Sequence, residues 1–96
     1  MSKVDQVLTR EAAKWRNEPY STFQDMNGRV HSYSVHEDDT EYGIEINTHT
    51  SDRTPEIIVM FEVSRRSLLG TSVGKAQYFA VSPNGEVRDA TPDEAF

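Results

Sequence analysis

The chain has no cysteine, few cations and no long apolar run, and each shortage excludes a class of protein. Without cysteine there is no disulfide framework, thiol nucleophile or thiolate metal site. Ten Lys and Arg against sixteen Asp and Glu give a net charge of −6, which opposes binding to nucleic acid and to anionic lipid. No run approaches the ~18 apolar residues of a membrane span, and no signal-peptide pattern opens the chain. We therefore expect a cytoplasmic protein that binds neither nucleic acid nor membrane.

A helical pattern occupies about residues 2–17. Ser2 belongs to a residue type that caps helices, and apolar residues follow it at helical spacing. These residues are Val4, Val7, Leu8, Ala12 and Trp15. Pro19 disfavours the helical backbone at the residue before it, so the helix should end near Arg16 or Asn17. We expect the aromatic residues that follow, Tyr20 and Phe23, to fold back onto the core as a short segment.

From Arg29 onward the apolar residues alternate with a period of two, which indicates strands. A two-residue turn at Asp38 and Asp39, or a four-residue loop over residues 37–40, places every apolar side chain of this hairpin on one face. The predicted pairs are Val35 with Tyr42, Tyr33 with Ile44 and His31 with Ile46. An odd-length link without a bulge would set Tyr33 opposite a glycine or a glutamate, so we reject it.

The remaining pattern predicts three further strands. Residues 57–63 are apolar on both faces and therefore belong in the middle of the sheet. A strand over residues 76–82 leads into the turn 83–85 and a short edge strand. With 96 residues, the chain is predicted to form one α+β domain over residues 1–96. Its helix packs on one face of a four- to five-stranded antiparallel meander (about residues 29–89), and residues 90–96 form a short cap or tail.

The second sheet face and the uneven charge predict a protein interface. Ile58, Met60 and Tyr78 lie on the face opposite the helix, as an apolar centre ringed by charge. The alternative is that Tyr20, Phe23 or the C-terminal tail covers this centre. Residues 30–52 contain six acids and no Lys or Arg, whereas residues 64–75 contain three cations and no acid. Two of these cations, Arg65 and Arg66, can grip a carboxylate or phosphate with two hydrogen bonds and complete the candidate interface.

Motifs for catalysis, metals and nucleotides are weak. Gly70 to Lys75 resembles a phosphate-binding loop only superficially, because the glycine spacing is one residue short and a strand follows where a helix is needed. We interpret it as a polar connection. His31 and His36 fall on opposite faces of the predicted hairpin, and His49 lies near the end of the hairpin far from His36, which argues against a three-histidine metal site. No nucleophile motif is present, so we assign no catalytic, metal or cofactor residue.

Three functional hypotheses remain open. The preferred one is a small, acidic, non-catalytic interaction module of the adaptor, regulator, chaperone or toxin-neutralising type, which binds another protein or itself as a homodimer. The alternative is a small-molecule or anion-binding domain, with or without catalysis, whose cavity between helix and sheet is lined by Trp15, His31, Tyr33 and Arg65. A third is that the acidic hairpin mimics the charge of a nucleic acid. Its six acidic residues are a small number for that role.

Overall fold

The computed structural model describes residues 2–50, 53–66 and 72–95, and within them two α-helices, five strands and one 3₁₀ helix follow one another. The helices are α1 (Lys3–Arg16) and α2 (Tyr20–Met26), the strands are β1 (His31–Glu37), β2 (Thr40–Thr50), β3 (Ile57–Arg66), β4 (Ser72–Val81) and β5 (Val87–Asp89), and the 3₁₀ helix is Pro92–Ala95. The strands form one antiparallel sheet in chain order, with α1 packed on β3 and β4. The predicted α+β class and meander are confirmed.

Helix α1 begins and ends as its sequence predicts. The Asp5 N–H donates to the Ser2 hydroxyl at 3.2 Å, so Ser2 caps the first turn. At the other end the Asn17 N–H bonds to the Lys14 carbonyl at 3.3 Å. The apolar side of the helix is buried in the core against the sheet, with Val7 fully inaccessible to solvent. This side fixes which face of the sheet becomes the core.

Helix α2 occupies the segment for which we expected only a short aromatic stretch. Its seven residues are too few for helical periodicity to stand out in the sequence. Pro19, which ends the pattern of α1, is the N-cap residue of α2 and has an extended backbone, with φ −70° and ψ 159°. Phe23 is fully buried, with its ring 5.9 Å from that of Phe79. The expected contact of this segment with the core therefore occurs, but through a helix.

The first hairpin has the predicted register. The observed pairs include Val35 with Tyr42, Tyr33 with Ile44 and His31 with Ile46. Asp38 and Asp39 both have positive φ, 51° and 60°, as a two-residue type I′ turn requires. The two-residue turn is thus the correct one of the two links considered.

The central strand β3 separates two different faces of the sheet. On the α1 face, which we define as the side against which α1 packs, the alternate residues Ile57 to Val63 of β3 are fully or almost fully buried. On the other side Ile58 and Ala80 are also buried, at 5% and 0% exposure, although α1 and α2 lie elsewhere. The C-terminal 3₁₀ helix contacts β3, and the Ala90 N–H bonds to the Tyr78 carbonyl at 3.1 Å. We infer that the C-terminal segment covers these two residues.

The predicted polar connection at Gly70 to Lys75 lies partly outside the described residues. From Ser72 onward it belongs to β4, so the prediction of a connection is wrong for these residues, where Gly74 pairs with Ser64 and Lys75 with Val63. A side chain at Gly74 would place its Cβ 3.3 Å from the Val63 carbonyl oxygen, so glycine serves close strand approach there. Along the described stretches of the chain, neither α-helix has the length and apolar character needed to cross a membrane.

Candidate functional site

The face of the sheet opposite α1, which we call the open face, carries the candidate site. Its centre is formed by two cross-strand pairs, Glu45 with Glu62 and Met60 with Tyr78. Met60 and Glu62 are two residues apart on β3, so the two pairs are neighbours on the same side. Glu45 is exposed, and the other three side chains are half-buried. The result is a small apolar surface that adjoins two carboxylates.

Five cations carried by α1 or by the α1 face of the sheet, those of Lys3, Arg10, Lys14, Arg16 and Lys75, pair with acids of the same chain. The nitrogen–oxygen distances are 3.0 Å for Lys3 with Glu37 and with Asp38, 2.7 Å for Arg10 with Glu37, 2.9 Å for Lys14 with Glu11, 2.9 Å for Arg16 with Asp89 and 3.0 Å for Lys75 with Asp5. On the open face, by contrast, Glu41, Glu45 and Glu62 form no ion pair with another described residue. Glu45 and Glu62 at the centre of the open face therefore have no internal cation, whereas farther along the same face Arg88, which lies opposite Ala80, pairs with Glu56.

These ion pairs revise the predicted separation of charge along the chain. Glu37 and Asp38 of the acidic hairpin are bound by Lys3, and Lys75 of the basic segment is bound by Asp5. Part of the charge of each segment is therefore paired within the chain. Helix α1 supplies cations to the acidic hairpin and an acid to the basic segment.

The predicted interface residues do not all lie together. Met60 and Tyr78 form a pair on the open face, but Ile58 is only 5% exposed beside them. Arg65 is exposed and lies opposite Tyr42, whose side chain is on the α1 face, so it points away from the open face. The backbone of Arg66 pairs with Ser72, and its side chain lies outside the described part.

Three of the four predicted cavity residues meet on the α1 face. The Trp15 ring lies 5.5 Å from the His31 ring and 6.2 Å from the Tyr33 ring, measured between centroids. The Trp15 Nε1 donates to the Tyr33 hydroxyl at 2.8 Å. The rings thus contact one another as a packed cluster at the edge of the core. Arg65 lies on β3, two strands away from the β1 residues of this cluster.

Glu11 is the residue of this region that we missed from the sequence. It is 4% exposed and receives hydrogen bonds from Lys14 at 2.9 Å, Arg10 at 3.1 Å and Tyr33 at 3.2 Å. Burial raises its pKa, but these three hydrogen bonds outweigh burial and hold the pKa below its ordinary value. Burial, together with the neighbouring Glu11 charge, raises the pKa of Tyr33. The signal was present in the sequence, since Glu11 stands four residues after Val7 and four before Trp15, on the apolar side of the helix.

The histidines follow the predicted faces. His31 lies on the α1 face, while His36 is on the open face opposite Glu41, and His49 is on the open face opposite Ile58. Within residues 2–50, 53–66 and 72–95, no three or more His, Asp or Glu side chains are grouped so that they could hold a metal ion.

A groove of about 280 Å³ lies at the β4–β5 end of the sheet, away from the predicted site residues. It is lined by Glu56, Ser82, Glu86, Val87 and Arg88. Arg88 pairs with Glu56 at 2.9 Å, and Glu86 adds a second carboxylate to the lining.

Comparison of the chain with protein-family models, with curated proteins and with solved structures finds no match. Function must therefore be argued from the chemistry of the surfaces themselves.

Proposed function

We propose that this protein is a small, acidic, non-catalytic interaction module of the cytoplasm, which binds a basic surface of another protein through its open face. The observation that carries the proposal is the arrangement at the centre of that face. The Glu45–Glu62 pair adjoins the Met60–Tyr78 pair, and the described acids there lack internal cation partners.

The two carboxylates favour a cationic partner. Like charges directly opposite each other on neighbouring strands destabilise the sheet by about 0.2–1 kcal/mol. An Arg or Lys placed between Glu45 and Glu62 would remove this repulsion and form charge-assisted hydrogen bonds with both. Relief of this repulsion would therefore add to the free energy of binding a cationic partner.

Met60 and Tyr78 favour a protein over a small ion as the ligand. A tyrosine contributes a large apolar ring with a polar end, and a methionine adapts its shape to the surface that it meets. Both residue types are common at protein interfaces. The net charge of −6 would also speed the encounter with a basic partner. An adaptor, regulator, chaperone or toxin-neutralising subunit would work in this way.

The meeting of Trp15, His31 and Tyr33 supports a second candidate function, the binding of a small molecule or anion at this cluster. A ligand that binds only the folded protein raises the unfolding midpoint by mass action. A thermal-shift screen of metabolites, nucleotides and metals distinguishes the two candidates, because the interaction module predicts a silent screen.

The test of the proposed function compares four immobilised proteins. They are the wild type, the double variant Met60→Thr/Tyr78→Thr, the variant Glu62→Lys, and the control Glu86→Lys, which makes the same charge change at an exposed position outside the two central pairs of the open face. Proteins captured at low salt from a cell lysate are identified by mass spectrometry, and the affinity of the purified captured protein is then measured at two salt concentrations.

We expect the wild type and Glu86→Lys to capture a basic protein that the two open-face variants do not bind, with an affinity that falls as salt rises. Circular dichroism must show that all four proteins are folded. If the open-face variants bind the captured protein as tightly as the wild type does, the proposal is wrong.

A further inference from the structure

The outer edge of β1 has backbone groups that no neighbouring strand uses. β1 is the first strand of the sheet and has β2 on one side only. Glu37 and Thr40 flank a two-residue turn, and such flanking residues exchange both of their backbone hydrogen bonds. Because this pattern alternates along the strand, the N–H and C=O groups of Ser32, Ser34 and His36 point outward. An edge of this kind is a template for another strand.

The edge lacks the features that discourage pairing. The seven residues of β1 include no proline and no lysine, and Glu37 is the one Asp, Glu, Lys or Arg among them. The register with β2 runs without a bulge from His31 to Glu37. Side chains of α1 contact His31, Tyr33 and Glu37 on one face of β1, whereas Ser32, Ser34 and His36 on the other face are exposed. A second strand can therefore approach.

We propose that two copies of this chain pair through β1 in antiparallel orientation, with a two-fold axis at Ser34, and form a continuous ten-stranded sheet. The inference is independent of the proposed function, because it uses the edge of the sheet rather than its open face. The choice of a second copy as the occupant comes from the side chains of β1, which complement themselves about Ser34.

In this register the two copies of β1 overlap along their whole length. His31 lies opposite Glu37 of the partner subunit; in each copy Lys3 and Arg10 bind the Glu37 carboxylate, so the pair places no unmatched charge against the imidazole. Tyr33 lies opposite Val35 of the partner subunit, an aromatic and β-branched pair on the α1 face. The Ser34 backbone groups, which point outward, pair with those of the other copy and complete the ladder.

The neighbouring registers are poorer. A two-fold axis at Tyr33 takes Glu37 out of the strand overlap and sets His31 opposite Val35 of the partner subunit. An axis at Val35 sets Tyr33 opposite Glu37 of the partner subunit. Only the axis at Ser34 overlaps all seven residues and sets Tyr33 opposite Val35 of the partner subunit.

The absence of cysteine from the chain allows a direct test. In the Ser34→Cys variant, the two residues 34 would have Cα atoms about 5.5 Å apart, within the range of about 4.4–6.8 Å that a disulfide accepts. In the matched control Ser32→Cys, the new thiols lie on the same edge and the same face. They would be about 14 Å apart along the strands, too far for a disulfide.

We expect mild oxidation to convert Ser34→Cys to a covalent dimer at least tenfold faster than Ser32→Cys, at a concentration where sedimentation of the wild type gives twice the chain mass of 10.9 kDa. Equal rates for the two variants, or a wild type that sediments as a monomer, would overturn the proposal. A dimer in which Ser34→Cys does not crosslink would also overturn it, since the copies would then meet elsewhere.

The variant Ser34→Pro supplies a second measurement. It removes the outward N–H of Ser34 but no hydrogen bond to β2, so it should sediment as a monomer with the circular dichroism of the wild type. A folded Ser34→Pro variant that remains fully dimeric would contradict pairing at this residue. If Ser34→Pro does not fold, the crosslinking rates of Ser34→Cys and Ser32→Cys alone test the proposal.

Discussion

Glu45 and Glu62 lie directly opposite each other on β2 and β3, and both project from the open face. One residue away along each strand, Ile44 lies opposite Val63 on the α1 face, and both are at most 1% exposed. A slip of one residue would move the apolar pair into solvent, which costs far more than a repulsion between partly solvated carboxylates. The core therefore fixes the register, and the register brings the two acids together.

Removal of one of these acids should stabilise the protein. We expect Glu45→Gln to raise the free energy of unfolding by about 0.2–1 kcal/mol, because the like-charge repulsion across the strands is lost. Glu45→Lys should raise it at least as much, since the new ammonium lies opposite Glu62. Urea unfolding at neutral pH and low salt measures both changes.

The control for this prediction is Glu86→Gln, which removes one negative charge at an exposed position outside the pair. An equal gain from this variant would show that the effect comes from the overall net charge of −6 rather than from the pair. High salt should reduce the gain of Glu45→Gln, because salt screens exposed charges.

The sequence was sufficient to predict the helix α1, the order of the strands and the register of the first hairpin. In each case only one arrangement buried all the apolar side chains of the segment. Pairing Tyr33 with Ile44, for example, was the one choice that kept both on the side of the core. The turn residues Asp38 and Asp39 then had to accept positive φ, as the structure shows.

Other features could not be predicted because they depend on contacts distant in the sequence. Ile58 is buried and the C-terminal 3₁₀ helix contacts β3, but the local pattern could not decide between an open centre and one covered by the C-terminal tail. Helix α2 is stabilised by the packing of Phe23 on Phe79 rather than by its own periodicity. Side-chain parity placed Met60 and Tyr78 correctly, whereas the pairing of Lys75 with Asp5 required knowledge of how α1 crosses the sheet.

The Tyr33 hydroxyl should contribute more to stability than an ordinary surface hydroxyl. It accepts a hydrogen bond from Trp15 at 2.8 Å and donates one to the buried Glu11 at 3.2 Å. In Tyr33→Phe the Trp15 N–H loses its acceptor and Glu11 loses a donor, which should cost about 1–3 kcal/mol in the free energy of unfolding.

Thermal and urea unfolding of Tyr33→Phe measure this cost, with Tyr20→Phe as the matched control. The Tyr20 hydroxyl makes an exposed hydrogen bond of 2.8 Å to the Pro55 carbonyl, which water can replace. We expect the control to lose less than half as much. Equal losses from the two variants would show that the Trp15–Tyr33–Glu11 contacts add nothing beyond a surface hydrogen bond.

Glu37 should make the protein sensitive to acid. The Arg10 guanidinium at 2.7 Å and the Lys3 ammonium at 3.0 Å lower the pKa of Glu37 from its ordinary 4.5 to about 2. The unfolded chain therefore takes up the proton at a higher pH than the folded protein does. The stabilisation of the folded protein by these ion pairs is complete above about pH 4.5 and is lost as the pH falls toward 2.

We expect the unfolding midpoint of the wild type to decline between pH 4.5 and pH 2. The midpoint of Glu37→Gln should decline less over this range and should be lower than that of the wild type at pH 7. Glu41→Gln removes an acid of the same hairpin from the opposite face and should keep the wild-type slope. If Glu37→Gln and the wild type decline in parallel between pH 4.5 and 2, the two cations do not hold Glu37 ionised in the folded protein.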